Sequence, residues 1–153
     1  MPDHTSSLDI AIGVLTRAST IAVVGLSRMP GKSAHDIPQY LASAGFTVVG
    51  VNPLAVPKVE SIPVVPSIHD VEPSIDICNV FRPSADTDAV IDAAIERHLR
   101  RGDVSCVWLQ QGITNPRGAD RCAEVGITYI EDTCIYVVHA YVRAGRESHE
   151  VGG

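Results

Sequence analysis

Short apolar segments rich in β-branched residues alternate with longer segments of helical character along most of this chain. The apolar segments are Thr20–Val24, 46–53, Ile62–Val65, 75–81, 104–109 and 127–130. Because strands covered by helices on both faces consist of nearly continuous apolar runs, the alternation predicts a parallel sheet in an α/β fold. Right-handed crossovers then give a doubly wound sheet, for which we predict the strand order 3-2-1-4-5-6.

The segments between these strands carry signals for helix ends and loops. Ser7 is the predicted cap of the first helix, and Asn115, followed by proline, opens a later one. The other helices are predicted within residues 33–44, 85–99 and 133–142, with a helical turn at 67–71 and a loop at 54–60. Pro38 lies inside the second helix, so that helix either starts near Ile37, with the proline in its first turn, or is kinked.

The chain length of 153 residues fits one domain with its own core. We expect residues 1–143 to form this domain and the polar residues 144–153 to form a disordered tail. The first residues show no basic segment followed by an apolar one, so we expect a cytoplasmic protein without a signal peptide. The formal net charge of −6 and the lack of a long apolar run argue against nucleic-acid and membrane partners.

A doubly wound sheet binds its ligand where the chain reverses direction, beyond the carboxyl ends of the strands. In the predicted order this point lies between the first and fourth strands. The adjoining segments are residues 25–32, which follow the first strand, and residues 79–82, which end the fourth. We therefore expect a ligand site in the crevice between these two segments.

The sequence GLSRMPGKS at residues 25–33 is close to a nucleotide-binding P-loop but departs from it. Five residues separate Gly25 from the G-K-S triplet, whereas the P-loop pattern has four. Pro30 also removes one backbone N–H from a loop that would bind phosphate through such groups. No acidic residue ends the second, fourth or fifth strand, so Mg²⁺ would lack its usual carboxylate ligand. These departures exclude phosphoryl transfer.

The dinucleotide fingerprint G-x-G-x-x-G is incomplete as well, because Ser27 and Pro30 occupy its second and third glycine positions. The second strand ends at Asn52 instead of the acidic residue that binds the ribose hydroxyls in NAD-binding folds. A neutral end, Asn52 followed by Pro53, tolerates a phosphate on the ribose, as in coenzyme A or NADP. The groups available to bind phosphate are the N-terminus of the following helix and Gly25, Ser27, Arg28, Lys32 and Ser33.

Five segments in this order resemble the stand-alone CoA-binding domain proteins, which are similar to the N-terminal CoA-binding domain of the succinyl-CoA synthetase alpha subunit. The segments are IAVVGLS at 21–27, VVGVNP at 48–53, VFRPSAD at 80–86, WLQQGITN at 108–115 and DTCIYVVH at 132–139. The resemblance implies a single Rossmann-like domain with coenzyme A as its ligand. The residues that it places near CoA are Gly25, Ser27 and Arg28 at the phosphates, Asn52 and Pro53 near the adenosine, Phe81 and Arg82 in the crevice, and Gln110 and Gly112 beyond the fifth strand.

The sequence identifies no catalytic machinery. It has no Ser-His-Asp order, no paired carboxylates at the expected crevice and no metal-ligand spacing among its four cysteines. Cys134, near a helix N-terminus, is either a reactive thiol or a small buried residue. Our first interpretation is a protein that binds CoA or acyl-CoA without chemistry of its own. Two alternatives stay open: an NADP-binding oxidoreductase or redox sensor, and the CoA-binding subunit of a two-chain acyl-CoA ligase. The possible partners besides the ligand are a second copy of the chain or a separate ligase subunit.

Overall fold

A seven-stranded sheet forms the centre of the fold. The structure, a computed structural model, describes residues 6–53 and 56–152, and for residues 146–152 it describes the backbone only. The strands are β1 Thr20–Val24, β2 Thr47–Val51, β3 Lys58–Val59, β4 Ile62–Val65, β5 Ile77–Val80, β6 Cys106–Leu109 and β7 Thr128–Ile130. The helices are α1 Ser7–Arg17, α2 Ser33–Ser43, α3 Thr87–Arg101, α4 Pro116–Val125 and α5 Ile135–Gly152. Short 3₁₀ turns occur at Ile68–Asp70 and Ser84–Asp86.

The strand order is β3-β4-β2-β1-β5-β6-β7, and all neighbours are parallel except β3 and β4. The six predicted strands therefore occur in the predicted order, which confirms the doubly wound α/β fold. The difference is β3, which lies within the predicted loop at 54–60. Val59 of this strand pairs with Ile62 across a tight hairpin in which Glu60 adopts a φ of 53°. Because Val59 is buried, the hairpin covers apolar surface that a loop would leave exposed.

Helices cover both faces of the sheet. On one face, α1, α2 and α5 pack over a core that includes Ile21, Val23 and Trp108. On the opposite face, α3 and α4 pack over a core that includes Ala22 and Val107. Successive residues of β1 thus point to opposite cores, as the pleat of a strand requires. Among the described residues, no helix is long and apolar enough to cross a membrane.

Three helix ends test the sequence-based predictions. Asn115 caps α4 by accepting a hydrogen bond from the N–H of Gly118, as predicted. The cap of α1 is Ser6 and not Ser7, because Ser6 and Asp9 each accept a hydrogen bond from the other's backbone N–H. α5 continues to Gly152, although the sequence predicts a disordered tail from residue 144. In the segment from residue 144, a helical glycine costs about 1 kcal/mol relative to alanine, which opposes the helix. The arginine and glutamate residues of the segment have high helix propensity, which favours it.

The second helix is longer than its proline suggests. α2 begins at Ser33, so it does not start near Ile37, and it continues through Pro38. Pro38 is buried and occupies the sixth helical position, where a proline is normally unfavourable. The helix therefore tolerates a residue that removes one of its own hydrogen bonds.

The guanidinium of Arg97, on α3, is fully buried and donates hydrogen bonds from all of its N–H groups. Nε and Nη2 donate to the carboxylate of Asp103 at 2.8–3.1 Å. Nη1 donates to the carbonyls of Ile68 and Val71 at 2.5 and 2.8 Å, and Nη2 also donates to the carbonyl of Pro73 at 3.0 Å. This one side chain therefore joins α3 to the segment before β5 and to the segment before β6.

The same pair makes stability dependent on pH. Burial acts to raise the pKa of Asp103, but hydrogen bonds from Arg97 and from the N–H of Ile75 outweigh it and hold the pKa below its ordinary value. A carboxyl group with a lowered pKa in the folded state stabilises that state above its unfolded pKa of about 3.9. We therefore expect this contribution to be complete at neutral pH and to be lost as the pH falls through the lowered pKa.

Replacing Arg97 with methionine should lower the free energy of unfolding by about 3–5 kcal/mol, because it leaves Asp103 buried without a counter-charge. Urea unfolding at neutral pH measures the change. Arg100→Met is the matched control on the same helix, since the side chain of Arg100 is 70% exposed and, among the described residues, forms an ion pair with Glu96 alone. The control should change stability by less than about 0.5 kcal/mol. Equal losses in the two variants would contradict this account of the buried guanidinium.

Candidate functional site

The crevice at the carboxyl ends of the strands begins where β1 and β5 end side by side, at the paired residues Val24 and Val80. Gly25, directly after β1, has a φ of 91°. A Cβ at this position would lie 3.2 Å from both the carbonyl oxygen of Phe81 and the Cδ of Arg82. Only glycine combines this left-handed conformation with so close an approach. The end of β1 is therefore held tightly against the start of the segment that follows β5.

The segment 25–32, which we call the phosphate loop, is held in place by hydrogen bonds to the elements around it. The N–H of Gly25 donates to the carbonyl of Val51 at 3.0 Å, and the N–H of Ser27 donates to the carbonyl of Ala34 at 2.9 Å. The side-chain amide of Asn52 donates to the carbonyl of Leu26 at 3.1 Å. Asn52 thus has a positioning role that its neutrality alone did not predict.

The phosphate loop and the first residues of α2 together present several hydrogen-bond donors to solvent. The backbone N–H groups of Arg28, Ser33 and Ala34 have no hydrogen-bond partner in the described part of the chain. The hydroxyl oxygen of Ser27 accepts from the N–H of Met29 at 3.0 Å, which leaves its hydrogen available to donate. The side chains of Arg28 and Lys32 are exposed beside these groups. Donors and positive charge at the N-terminus of α2 make a suitable site for an anion.

Two residues of α2, which the sequence analysis did not assign to the site, close the far end of this loop. The carboxylate of Asp36 accepts the N–H of Gly31 at 3.2 Å and lies 2.8 Å from Nδ1 of His35. The hydrogen bond from His35, followed by the one from Gly31, holds the pKa of Asp36 below its usual value. His35 itself is buried, and its Nε2 lies 3.7 Å from a carboxylate oxygen of Glu60. The carboxylate of Asp36 is therefore engaged in fixing the loop.

Two cavities open on either side of the edge formed by Gly25 and Asn52. The first, of about 340 Å³, is lined by Gly25, Leu26, Ser27, Arg28, Met29, Asn52, Val56, Val59 and Val64. The second, of about 510 Å³, is lined by Val24, Gly25, Val51, Asn52, Pro53, Arg82, Ala85, Asp86, Asp88, Ala89 and Val90. Gly25 and Asn52 line both cavities. Sequence reasoning did not assign the first cavity's valines to the site: Val56 and Val59 lie in the segment that it took for a loop, and Val64 lies in a strand that it predicted without a role in the site.

Arg82 lies at the second cavity with acidic neighbours. Its guanidinium is half-exposed and bonds to the carboxylate of Asp86 at 3.1 Å. The carboxylate of Asp88 accepts a hydrogen bond from Asn115 at 2.8 Å. The second cavity thus combines one cation with two carboxylates and an apolar wall, and it is less suited to a phosphate than the first.

The remaining predicted site residues have structural contacts of their own. Phe81 is half-buried and packs against the core under α1, α2 and α5. Gln110 is buried, and its side-chain oxygen accepts hydrogen bonds from Asn79 at 3.1 Å and from the N–H of Ile135 at 3.0 Å. The N–H of Gly112 donates to Asp132 at 2.7 Å. Gln110 and Gly112 follow β6, two strands from β1, and neither lines the two cavities.

The four cysteines are all free thiols, and they differ in exposure. Burial raises the pKa of Cys78 to about 12 and that of Cys122 to about 11, and it also raises the pKa of Cys106. Cys134 directly precedes α5 and is half-buried. In the described segments, no group of three or more His, Cys, Asp or Glu side chains is placed to hold a metal ion.

Comparison with known proteins identifies the family of this chain. A family model described as a CoA binding domain matches residues 19–140. This chain belongs to the CoA-binding domain family. Among relatives of this CoA-binding domain, the uncharacterized protein YneT of Bacillus subtilis (strain 168) is 34% identical over 130 residues, which make up 85% of the chain and 92% of YneT.

Solved structures share the fold of this CoA-binding domain. A structure from Thermus thermophilus has a TM-score of 0.79 at 31% identity, and the match covers 90% of this chain and 98% of the Thermus chain. The dinucleotide-forming acetyl-coenzyme A synthetase 1 of Ca. Korarchaeum cryptofilum has a TM-score of 0.64 at 24% identity, over 77% of this chain and 26% of that enzyme. At that identity the likeness to the synthetase shows a common fold.

We expect only one thiol of the native protein to react quickly with a disulfide reagent such as DTNB. Because the thiolate is the reacting species, burial and a raised pKa protect Cys78, Cys106 and Cys122. Absorbance should report one fast thiol in buffer and four in urea. Cys134→Ser should remove the fast reaction, and Cys122→Ala should leave it. A fast reaction that survives Cys134→Ser would show that a buried cysteine becomes accessible.

Proposed function

We propose that this protein binds coenzyme A or acyl-CoA in the crevice and has no catalytic activity of its own. The observation that carries the proposal is the anion site at the N-terminus of α2. There the N–H groups of Ser33 and Ala34, which have no hydrogen-bond partner among the described residues, lie beside the exposed cations Arg28 and Lys32. CoA carries a pyrophosphate and a ribose phosphate, and both need donors and positive charge of this kind.

The end of β2 supports a ligand with a phosphorylated ribose. Asn52 occupies the position where NAD-binding folds have an acidic residue, and its side-chain amide is bonded to Leu26. A carboxylate here would repel a ribose phosphate, whereas an amide does not. NADP would satisfy the same condition, so Asn52 separates CoA from NAD but not from NADP. The family match favours CoA over NADP.

We propose binding without catalysis because the polar side chains around the crevice hold the fold together. Asn52 holds the phosphate loop, Gln110 holds the start of α5, and Asp132 holds the segment after β6. Catalysis by a nucleophile would also require a base within hydrogen-bond reach of it, and the polar side chains named here are already used in structural hydrogen bonds. We further propose a cytoplasmic location, since four free thiols suit a reducing compartment.

A thermal-shift panel tests the ligand. CoA, acetyl-CoA, 3′-dephospho-CoA, NAD and NADP are each added at equal concentration. A ligand present at a hundred times its dissociation constant should stabilise the native state by about 2.7 kcal/mol. We expect CoA and acetyl-CoA to raise the melting temperature most, and 3′-dephospho-CoA less. A shift with NADP alone would favour an oxidoreductase or redox sensor, and a shift with NAD but not CoA would refute the proposal.

Replacing Arg28 with alanine tests the phosphate site. Loss of a charge-assisted hydrogen bond should weaken CoA binding by about tenfold to a hundredfold. The unliganded stability should change by less than about 0.5 kcal/mol, because the side chain is exposed. Arg28→Lys should restore only part of the affinity, since an ammonium cannot reproduce a bidentate contact. Titration calorimetry measures these affinities.

Arg100→Ala is the control for the change in net charge, since Arg100 is exposed on α3 and lines neither of the two cavities. It should leave the affinity unchanged. Added salt should weaken wild-type binding more than Arg28→Ala binding, because the variant has lost one screened contact. If Arg28→Ala binds CoA as tightly as the wild type, the phosphates lie elsewhere.

A further inference from the structure

The phosphate loop is attached to α2 through a carbonyl group that a regular helix would use for itself. In an uninterrupted helix, the N–H of residue 38 would donate to the carbonyl of Ala34, four residues earlier. Residue 38 is proline and has no N–H. The carbonyl of Ala34 accepts the N–H of Ser27 instead, at 2.9 Å. The hydrogen bond that the helix lacks is thus replaced by one to the loop.

Sterics favour the same exchange. The ring of a proline inside a helix presses against the carbonyl four residues earlier and turns it away from the helix axis. α2 nevertheless remains helical from Ser33 to Ser43, and Pro38 is buried within it. An outward-turned carbonyl at Ala34 is well placed for a donor from outside the helix. Ser27 provides that donor from the loop before α2.

The bond to Ala34 fixes the part of the loop that carries the anion-binding groups. Ser27 and Met29 flank Arg28. The hydroxyl oxygen of Ser27 accepts the N–H of Met29, and the N–H of Ser27 donates to Ala34, so both flanking residues are held in place. Arg28 itself is exposed, and its N–H has no hydrogen-bond partner among the described residues. Releasing Ser27 from Ala34 would free this turn and disperse the donors that it gathers.

We propose that Pro38 is a positioning residue for the phosphate loop: it withholds a helical donor from the carbonyl of Ala34 and so reserves that carbonyl for Ser27. Pro38 touches no ligand in this scheme and acts through the backbone. The part of the inference that concerns ligand affinity rests on the proposed function. The part that concerns the loop does not.

The first test is amide hydrogen exchange by NMR on the unliganded protein. Pro38→Val keeps a buried apolar side chain and restores an N–H that competes for the carbonyl of Ala34. The exchange rate of Ser27, divided by that of Val23 in the same sample, removes any change in global stability. We expect this ratio to rise about threefold to tenfold in Pro38→Val, as the loss of one backbone hydrogen bond implies. An unchanged ratio would overturn the proposal.

Leu41→Val is the matched control, because Leu41 is fully buried on the same helix and its replacement alters packing without adding a donor. It should leave the exchange ratio of Ser27 unchanged. A rise equal to that in Pro38→Val would attribute the effect to packing and overturn the proposal.

The second test is CoA affinity by titration calorimetry. We expect Pro38→Val to bind CoA about threefold to tenfold more weakly than wild type, and Leu41→Val to bind it equally well. Equal affinity in Pro38→Val despite a raised exchange ratio would overturn the positioning role. If the wild type binds no CoA, the proposed function fails, and the exchange ratio alone still decides whether Pro38 controls the loop.

Discussion

Hydrogen bonds from other elements fix the loops at the carboxyl edge of the sheet, where the strands no longer pair the backbone groups. Ser27 donates to a carbonyl of α2, and the side chain of Asn52 reaches the loop after β1. Gln110 binds the first N–H of α5, and Asp132 binds the N–H of Gly112. The shape of the crevice follows from these bonds, because they decide which donors are used within the protein and which face solvent.

The acidic character of the chain makes this local arrangement important. With a net charge of −6, the protein as a whole repels an anion, so attraction must come from geometry near the site. Arg28 and Lys32 have no ion-pair partner among the described residues, while the carboxylate of Asp36 is engaged with His35 and Gly31. The crevice is therefore divided into a cationic part at the phosphate loop and a mixed part near Arg82, where Asp86 balances the charge.

The sequence predicted the features that depend on repeated local patterns. Apolar runs predicted six strands, and the crossover rule predicted their order and hence the position of the crevice. It did not predict β3, because two residues carry too little pattern to distinguish a hairpin from a loop. It left open whether α2 starts near Ile37 or continues through Pro38. It did not predict that Gln110 holds α5, because that hydrogen bond joins segments 25 residues apart in sequence.

The buried guanidinium of Arg97 has a consequence for how the chain opens. Its donors are distributed over carbonyls at Ile68, Val71 and Pro73 and the carboxylate of Asp103. If any one of these segments separates, a charge remains in a dry interior without its full set of acceptors, which is strongly unfavourable. Partial opening is therefore suppressed, and α3 and the two segments beside it detach together or not at all. The second cavity, which Asp88, Ala89 and Val90 of α3 help to line, thus takes part of its wall from a unit that opens cooperatively.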